Sequence, residues 1–431
     1  MATMRRELGT FGAVFVGLGS IVGTGVFVSI GISAGIAGPA VSLAVVIAAV
    51  VATCNGLSSA QLAANHPVSG GTYEYGYRFL IPTAGFVAGW MFLIAKSASA
   101  ATAALGFAGY LLGAIGIVDG PLVPVAVSAV VLVGVLVLAG IRRSTVANAV
   151  IVSVTIGALV VFIVALFPHA VRNAGATLVP YFSSERGAAA GLLQAAALMF
   201  VAYTGYGRIA TLGEEVKDPK KTIPRAVIVT LVTTMVLYVG VSLVATGAVG
   251  SEEISRSSAP LERAAFLVGA TGIGRVLAVG AIAAMLGVLL NLLLGLSRVL
   301  LAMGRRRDMP GFLGRLRGNT PAAAVIVMTV VVIGLTLIGD VETTWSFSAF
   351  TVLIYYGLTN LSALYIPNDG RLFPRWISVL GLVGCVSLAA FVPPRILAIG
   401  AGLIVAGALW HVVAARLRSA AGGTTTGDGD D

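Results

Sequence analysis

The sequence predicts an all-α integral membrane protein with twelve transmembrane helices. Of its 431 residues, 58% are hydrophobic and only 10% are charged, and the mean hydropathy is +1.00. A water-soluble globule of this length needs more polar surface than this composition supplies. The apolar residues also fall into runs of about 20 residues, the length of helix that crosses a hydrocarbon core of about 30 Å.

Short polar segments separate these apolar runs, so each run is predicted to be one span. The twelve runs cover residues 11–30, 40–62, 84–113, 121–140, 146–167, 191–212, 226–249, 276–303, 321–339, 344–366, 376–392 and 396–415. Pro219 and Pro224 lie in the segment before the seventh run, where they are expected to stop helix formation and favour a turn.

The distribution of lysine and arginine predicts the orientation, because positively charged loops stay on the cytoplasmic side. With the N-terminus inside, nineteen basic residues fall in cytoplasmic segments and six in outer loops. Both termini are therefore predicted to be cytoplasmic, in a multi-pass protein of the plasma membrane. The net charge of +10 needs no nucleic acid to explain it.

The two ends of the chain and its two cysteines have simple interpretations. The first apolar run is too long and too glycine-rich for a signal peptide, so it is predicted to be the first span. Residues 419–431 are small, polar and acidic, which predicts a disordered cytoplasmic tail. Cys54 and Cys385 lie in separate runs and form neither a disulfide framework nor a metal site.

Two of the predicted spans contain glycine-rich interruptions. The first span holds "GSIVGTGVF" (19–27) and the sixth holds "FVAYTGYGRIATLG" (200–213). If spans one to five and six to ten are repeats, these are corresponding positions, and paired interruptions indicate a central binding site in a secondary transporter. Gly19 and Gly23 also form a GxxxG pair, so close helix packing is an alternative explanation for the first interruption.

A broken helix in a membrane exposes backbone groups that a ligand can bind. A half-helix beginning near Thr24 would present N–H groups and a positive dipole end to a carboxylate. Carbonyl groups of Ile21 and of residues near Val201 and Ala202 could accept hydrogen bonds from an ammonium group. One site would thus match both ends of an amino acid.

Four separated motifs resemble the amino acid–polyamine–organocation superfamily of permeases. They are "GLGSIVGTGVFVSIG" with "AGPA" after it, "PVSGGTYEYGYRF", "FVAYTGYGRIATLGEEVKDPKKTIPRA" and "GLSRVLLAMGRRRDMP". The resemblance implies a leucine-transporter-like fold of two inverted five-helix repeats, about 8–167 and 188–366, with two further helices at about 374–415. Residues 1–418 would form one transporter domain in which helices 1 and 6 are unwound at mid-membrane, and substrate would move by alternating access.

The resemblance also implies positions for the binding site. The carboxylate-binding amides of the family fall on Gly23, Thr24 and Gly25, and its ammonium-binding carbonyls fall on Ile21 and near Val201, Ala202 and Thr204. Tyr203 and Tyr206 match aromatic positions of helix six, where Tyr206 is a candidate gate; ordinary helix packing is the alternative for both. Tyr355 and Tyr356 are further candidates in span ten.

Two basic side chains within predicted spans stand out, Lys96 and Arg208, and no Asp or Glu falls within a span. Ionisable groups in a membrane are costly and usually functional. Lys96 could gain and lose a proton during transport, act as a fixed cation in place of sodium, attract a second carboxylate of an acidic substrate, or be structural. Some proton-coupled relatives carry such a lysine on helix five, where this chain has Thr155.

Sodium is the alternative coupling ion, and it would use carbonyls and the side chains of Ser153, Thr155 or Asn291. The sequence favours H⁺ over Na⁺, and it predicts no cofactor and no bound metal. Arg208 is expected to cap or pack at the inner gate with Glu214 or Glu215.

The predicted function is secondary active transport of an amino acid, coupled to protons or working as an exchanger. A permease for a polyamine or another organic amine is the alternative, and an ion channel is a weaker one, because paired broken helices suit a carrier better than a pore. An enzyme is not predicted, since no HExxH, CxxC or nucleophile elbow occurs.

Overall fold

The computed structural model describes residues 8–67, 70–117, 120–140, 145–182, 184, 186–210, 216–318, 320–338 and 340–422. Within them the chain is α-helical, with short 3₁₀ and π turns, loops and two isolated β-bridges. The helices are α1 (Thr10–Ile21), α2 (Ile30–Ala37), α3 (Val41–Asn65), α4 (Thr72–Phe79), α5 (Pro82–Ala114), α6 (Leu122–Leu138), α7 (Thr145–Thr177), α8 (Ala188–Tyr203), α9 (Gly207–Ala210), α10 (Pro219–Val249), α11 (Ser251–Ser255), α12 (Pro260–Leu267), α13 (Thr271–Arg305), α14 (Ala322–Ile338), α15 (Val341–Leu364), α16 (Arg375–Ala390) and α17 (Pro394–Gly422).

Eight helical segments in this part of the chain are long and apolar enough to cross a membrane. They are Thr10–Asn65, Pro82–Ala114, Asn148–Thr177, Ala188–Ala210, Pro219–Val249, Thr271–Arg305, Val341–Leu364 and Pro394–Ala414, and the helices α6, α14 and α16 are shorter but apolar. The architecture is therefore that of an all-helical, multi-pass membrane protein.

The outer surface of the bundle is apolar. On α7, the side chains of Val150, Val154, Val161 and Val164 are each about half exposed or more. Side chains at this spacing lie on one face of a helix. A continuous apolar face of this kind is unfavourable in water and suits contact with lipid tails.

Hydroxyl groups connect the helices in the interior. Ser99 of α5 is 2.7 Å from Ser348 of α15, and one helical turn away Thr102 donates to Thr344 at 2.8 Å. Small polar side chains let helix backbones approach closely and supply hydrogen bonds where no water is present. These contacts fix α5 against α15 on one side of the site described below.

The segment with Pro219 and Pro224 is helical, and the expectation of a turn there is wrong. α10 begins at Pro219, so its ring occupies the first helical position, where no N–H is needed. Pro224 is accommodated further along the same helix. The last helix, α17, extends to Gly422.

Several sequence-based expectations concern segments outside the described residues. These are the N-terminal residues 1–7, the basic segment 141–144, the acidic pair Glu214 and Glu215 proposed as partners of Arg208, and residues 423–431 of the tail.

Candidate substrate site

The first glycine-rich interruption is a break in the helix. α1 ends at Ile21, and Val22 has an extended backbone with ψ 101°. The carbonyl oxygen of Gly23 then accepts hydrogen bonds from the N–H groups of both Val26 (3.1 Å) and Phe27 (3.2 Å). The chain continues through a π-helical turn, Gly25–Ser29, before α2 begins. Glycine is the residue that makes such a change of helix type easiest.

The second interruption is a 3₁₀ turn. α8 ends at Tyr203, residues Thr204–Tyr206 form the turn, and α9 follows from Gly207. A 3₁₀ turn is wound more tightly than an α-helix, so it changes the direction of the backbone groups.

The two breaks lie against each other, and glycines make this contact possible. A methyl group on Gly25 would lie 2.6 Å from Cβ of Ala202, and one on Gly205 would overlap the carbonyl group of Ser20. Real Cβ atoms essentially never come this close to other atoms. The crossing of the two broken helices therefore requires glycine on both.

A cavity of about 210 Å³ lies beside this crossing. Its wall is formed by residues of α1, the segment before α4, α5, the 3₁₀ turn, α9, α13 and α15. The lining residues are Ser20, Gly70, Gly71, Phe92, Lys96, Thr204, Gly205, Gly207, Arg208, Val288, Asn291, Leu292, Gly295, Arg298, Val299, Tyr355 and Tyr356.

The cavity contains only some of the residues expected from the sequence. Thr204, Lys96, Asn291, Arg208, Tyr355 and Tyr356 line it. The lining does not include Ile21, Gly23, Thr24, Gly25, Val201, Ala202, Tyr203, Tyr206 or Thr155. Except for Thr155, these residues lie in the two breaks or at the helix ends next to them, close in sequence to the lining residues Ser20 and Gly205.

The carbonyl groups expected to bind an ammonium already accept hydrogen bonds. Tyr238 donates to the carbonyl oxygen of Ile21 at 2.9 Å, and Thr204 donates through Oγ1 to that of Val201 at 2.8 Å. The carbonyl oxygen of Thr204 accepts from Tyr356 at 3.0 Å. The carbonyl oxygens of Val201 and Thr204 also accept hydrogen bonds from the backbone N–H groups of Thr204 and Gly207. Because a carbonyl oxygen has two lone pairs, these two oxygens are fully engaged.

Lys96 is joined to the second break by a hydrogen bond. Its Nζ lies 2.9 Å from Oγ1 of Thr204. No carboxylate of the described residues forms an ion pair with it. The ammonium therefore faces the cavity with a neutral hydroxyl partner on a broken helix.

Further side chains in and near the site have buried polar atoms without a hydrogen-bond partner in the described structure. They include Nδ2 of Asn291, on the cavity wall, Oγ1 of Thr24, in the first break, and the hydroxyl group of Tyr206, in the second. A buried polar group without a partner is costly, and such groups are often completed by water or a ligand. Thr155, by contrast, donates to the carbonyl oxygen of Ile151 at 2.7 Å within its own helix.

The aromatic residues have two different environments. The rings of Tyr355 and Tyr356 are 5.0 Å apart, and Phe92 lies 5.3 Å from Tyr355, so these three rings form one edge of the cavity. Tyr206 packs behind them at 5.1 Å from Tyr356. Tyr203 points away, with its ring 5.3 Å from that of Tyr238.

A comparison with known proteins identifies the family. The sequence profile described as "Amino acid permease" matches residues 12–421. The chain belongs to the amino acid permease family. Its members are membrane transporters, as the resemblance of the four motifs predicted.

The relatives of this permease carry the names of several transporters. An uncharacterized transporter of Mycobacterium tuberculosis is 39% identical over 427 residues, which cover 99% of this chain and 95% of the relative. The branched-chain amino acid permease BcaP of Bacillus subtilis is 29% identical, covering 75% and 72% of the two chains. The vacuolar cationic amino acid transporter 4 of Arabidopsis thaliana is 26% identical, covering 85% and 64%.

Sequence reasoning missed part of the permease cavity, although periodicity carried a usable signal. Asn291 was expected, but the other uncharged lining residues of α13, which follow one another at spacings of four, three and four, were not. Phe92 lies four residues before Lys96 and therefore on the same face of α5. The residues missed in this way are Phe92, Val288, Leu292, Gly295 and Val299.

Proposed function

We propose that this permease is a secondary active transporter that moves an amino acid across the plasma membrane by alternating access. The observation that carries the proposal is the contact between two broken helices beside a cavity lined by Lys96, Asn291 and Thr204. Breaks in membrane helices persist where they line a cavity, because lipid cannot satisfy the freed backbone groups. The amino acid would occupy this cavity, with the break residues forming its base.

The proposed transporter crosses the membrane twelve times. The segment Thr10–Asn65 has 56 residues, so it would be about 84 Å long as one straight helix, more than twice the hydrocarbon thickness. It turns at Gly38, where φ is 62°, and so accounts for two crossings. Together with the other seven long segments and the three shorter apolar helices, it gives twelve.

The arrangement of the two breaks supports the inverted repeat. The first break lies near the start of the proposed repeat 8–167 and the second near the start of 188–366. With α16 and α17 as the two further helices and both termini in the cytoplasm, the lining residues Gly70, Gly71 and Arg298 belong to the cytoplasmic side. The cavity would then be open toward the cytoplasm.

We further propose that protons, rather than sodium ions, drive net uptake, and that Lys96 is the coupling residue. A charged ammonium in a cavity without a carboxylate is costly. Release of the proton would remove this cost. It would also weaken the hydrogen bond that joins Lys96 of α5 to Thr204 in the second break. Protonation and helix movement would thereby be coupled through one hydrogen bond.

Uptake into proteoliposomes tests the proposal. Wild type, Lys96→Ala and the matched control Lys220→Ala, an exposed lysine in the first turns of α10, are given a pool of radiolabelled amino acids under a proton gradient and then a sodium gradient. We expect the proton gradient to drive accumulation by wild type and the control, and Lys96→Ala to retain only exchange.

Other results would contradict specific parts of the proposal. If a sodium gradient drives accumulation, Lys96 is not a proton-coupling group. The same follows if Lys96→Ala accumulates amino acids under a proton gradient as well as wild type does. Uptake without saturation or counterflow would indicate a channel. No uptake of any amino acid would overturn the proposed substrate class.

A further inference from the structure

The charged groups that line the cavity are all cationic. Lys96, Arg208 and Arg298 contribute to its wall, and no Asp or Glu is found among the lining residues in the described part of the chain. The rest of the lining consists largely of glycine, aromatic and aliphatic residues. Lys96 forms no ion pair with a carboxylate of the described residues, so the electrostatic potential around it in the cavity is expected to be positive.

The described acids closest in sequence to the lining residues Gly70, Gly71 and Arg298 are already engaged. Glu74 pairs with Arg306 at 2.6 Å. Asp308 accepts hydrogen bonds from the hydroxyl groups of Tyr73 and Tyr77 at 2.6 and 2.7 Å. Neither carboxylate lines the cavity, so neither offsets its charge.

The side-chain polar groups in the cavity are mainly donors. Lys96 presents an ammonium group, and the buried amide nitrogen of Asn291 has no hydrogen-bond partner among the described residues. The carbonyl oxygen of Thr204 already accepts a hydrogen bond from the hydroxyl group of Tyr356. Donors suit a carboxylate, whereas a cationic side chain needs acceptors or a counter-ion once it leaves water.

We propose that the cavity selects amino acids with uncharged, apolar side chains and excludes those with cationic side chains. This inference rests on the proposed function. The substrate carboxylate would be placed toward Lys96 and Asn291, and the side chain toward the apolar surface formed by Phe92, Val288, Leu292 and Val299. The positive potential would also attract an acidic substrate. Its second carboxylate would nevertheless lie against this apolar surface, where the cost of losing its hydration exceeds the Coulombic gain, so it would bind less well than an apolar substrate.

The size of the effect follows from Coulomb's law. Two like unit charges about 8 Å apart, at an effective dielectric constant of about 20, repel enough to weaken binding by roughly 30-fold. Lysine and arginine are therefore expected to compete at least about 30-fold less well than leucine.

Competition uptake is the first test. Wild-type protein in proteoliposomes takes up radiolabelled L-leucine in the presence of increasing unlabelled leucine, phenylalanine, glutamate, lysine or arginine. We expect leucine and phenylalanine to compete strongly, glutamate less, and lysine and arginine least. Transport of lysine or arginine at a rate comparable to leucine, or stronger competition by glutamate, would overturn the inference while leaving the proposed function intact.

Charge reversal is the second test, and it uses a readout independent of transport. Ligand-induced thermal stabilisation is measured in detergent for wild type, Lys96→Glu and the matched control Lys220→Glu. The glutamate would weaken the binding of every amino acid, because it repels the substrate carboxylate. We nevertheless expect Lys96→Glu to raise the apparent affinity for lysine relative to that for leucine by at least about tenfold, and the control to keep the wild-type ratio. A Lys96→Glu protein that is stabilised by leucine but still not by lysine would refute the role given to Lys96.

These experiments separate failure of the selectivity from failure of the function. If no amino acid is transported or stabilises the wild-type protein, the proposed function itself fails. If cationic amino acids are bound and transported, only the charge selection fails.

Discussion

The hydrogen bond between Lys96 and Thr204 connects a charged residue of the continuous helix α5 to a residue in the break between α8 and α9. The sequence identified both residues because a lysine within an apolar run and a polar residue beside paired glycines are each unusual. It did not identify the bond, because the two residues are 108 positions apart. Similarly, the donors to the break carbonyls, Tyr238 and Tyr356, come from distant helices and have no local signal.

Glu262 of α12 is a second unusual residue, and it lies outside the membrane-spanning segments. Its Oε2 atom is buried and has no hydrogen-bond partner in the described structure. Gly113 of α5 faces the carboxyl group, since a methyl group there would lie 2.8 Å from this oxygen. Burial raises the pKa of Glu262 from the ordinary value of 4.5 to about 7.

This raised pKa predicts a pH dependence of stability. The folded protein binds the Glu262 proton more tightly than the unfolded chain, so the free energy of unfolding falls as the pH rises from about 4.5 to about 7 and then levels off. We expect Glu262→Gln, whose side chain cannot ionise, to lack this pH-dependent fall in the free energy of unfolding. Thermal unfolding in detergent between pH 4.5 and 8 measures the difference from wild type.

The comparison has a matched control in Glu253→Gln, which removes an exposed carboxylate paired with Arg263 at 3.2 Å. The difference in the free energy of unfolding between Glu262→Gln and wild type should grow in favour of the variant as the pH rises. The corresponding difference for the control should not change with pH. A difference for Glu262→Gln that stays constant across the range would show that its carboxyl group does not titrate as described.

At the scale of the helices, the crossing of the two breaks depends on glycine. We expect Gly205→Ala and Gly25→Ala to reduce transport by at least about tenfold, because each added methyl group would force the broken helices apart. Uptake rates, measured on protein that elutes as a single species in gel filtration, test this expectation.

Gly157 provides the matched control. It is exposed on α7, and a methyl group added there would have no other atom within 4 Å. Gly157→Ala should transport as wild type and be slightly more stable, by about 1 kcal/mol, because alanine favours the helix. Wild-type transport by Gly205→Ala would show that the close crossing is not required.

The positions of the breaks were predictable, but their exact form was not. Clusters such as Gly23 with Gly25 and Gly205 with Gly207 disfavour a regular helix, and this signal is local. Whether the backbone then adopts a π turn or a 3₁₀ turn depends on packing against the partner helix. The same limit explains the error at Pro219, since proline begins a helix as readily as it ends one.

At the scale of the whole molecule, composition and periodicity predicted an all-helical membrane protein, whereas the long-range connections required the structure. Asp308 illustrates this. It accepts hydrogen bonds from Tyr73 and Tyr77 of α4, and its carbonyl oxygen accepts from Trp410 of α17 at 2.9 Å. These contacts join the loop helix before α5, the end of α13 and the last helix, which no sequence pattern brings together.

The central claim is that the amino acid occupies the cavity between the broken helices, and thiol labelling with substrate protection tests it most directly. Gly295 lines the cavity and has open space at its Cβ position. Gly272, exposed at the other end of α13, is the control with equal space. The two native cysteines, Cys54 and Cys385, are buried, so background labelling should be low.

The measurement is the rate at which a maleimide labels Gly295→Cys and Gly272→Cys, with and without L-leucine, followed by the pool of amino acids. We predict that a bound amino acid at ten times its Kd slows labelling of Gly295→Cys about tenfold and leaves Gly272→Cys unchanged. Equal labelling of Gly295→Cys with and without an amino acid that the same protein transports would contradict the claim.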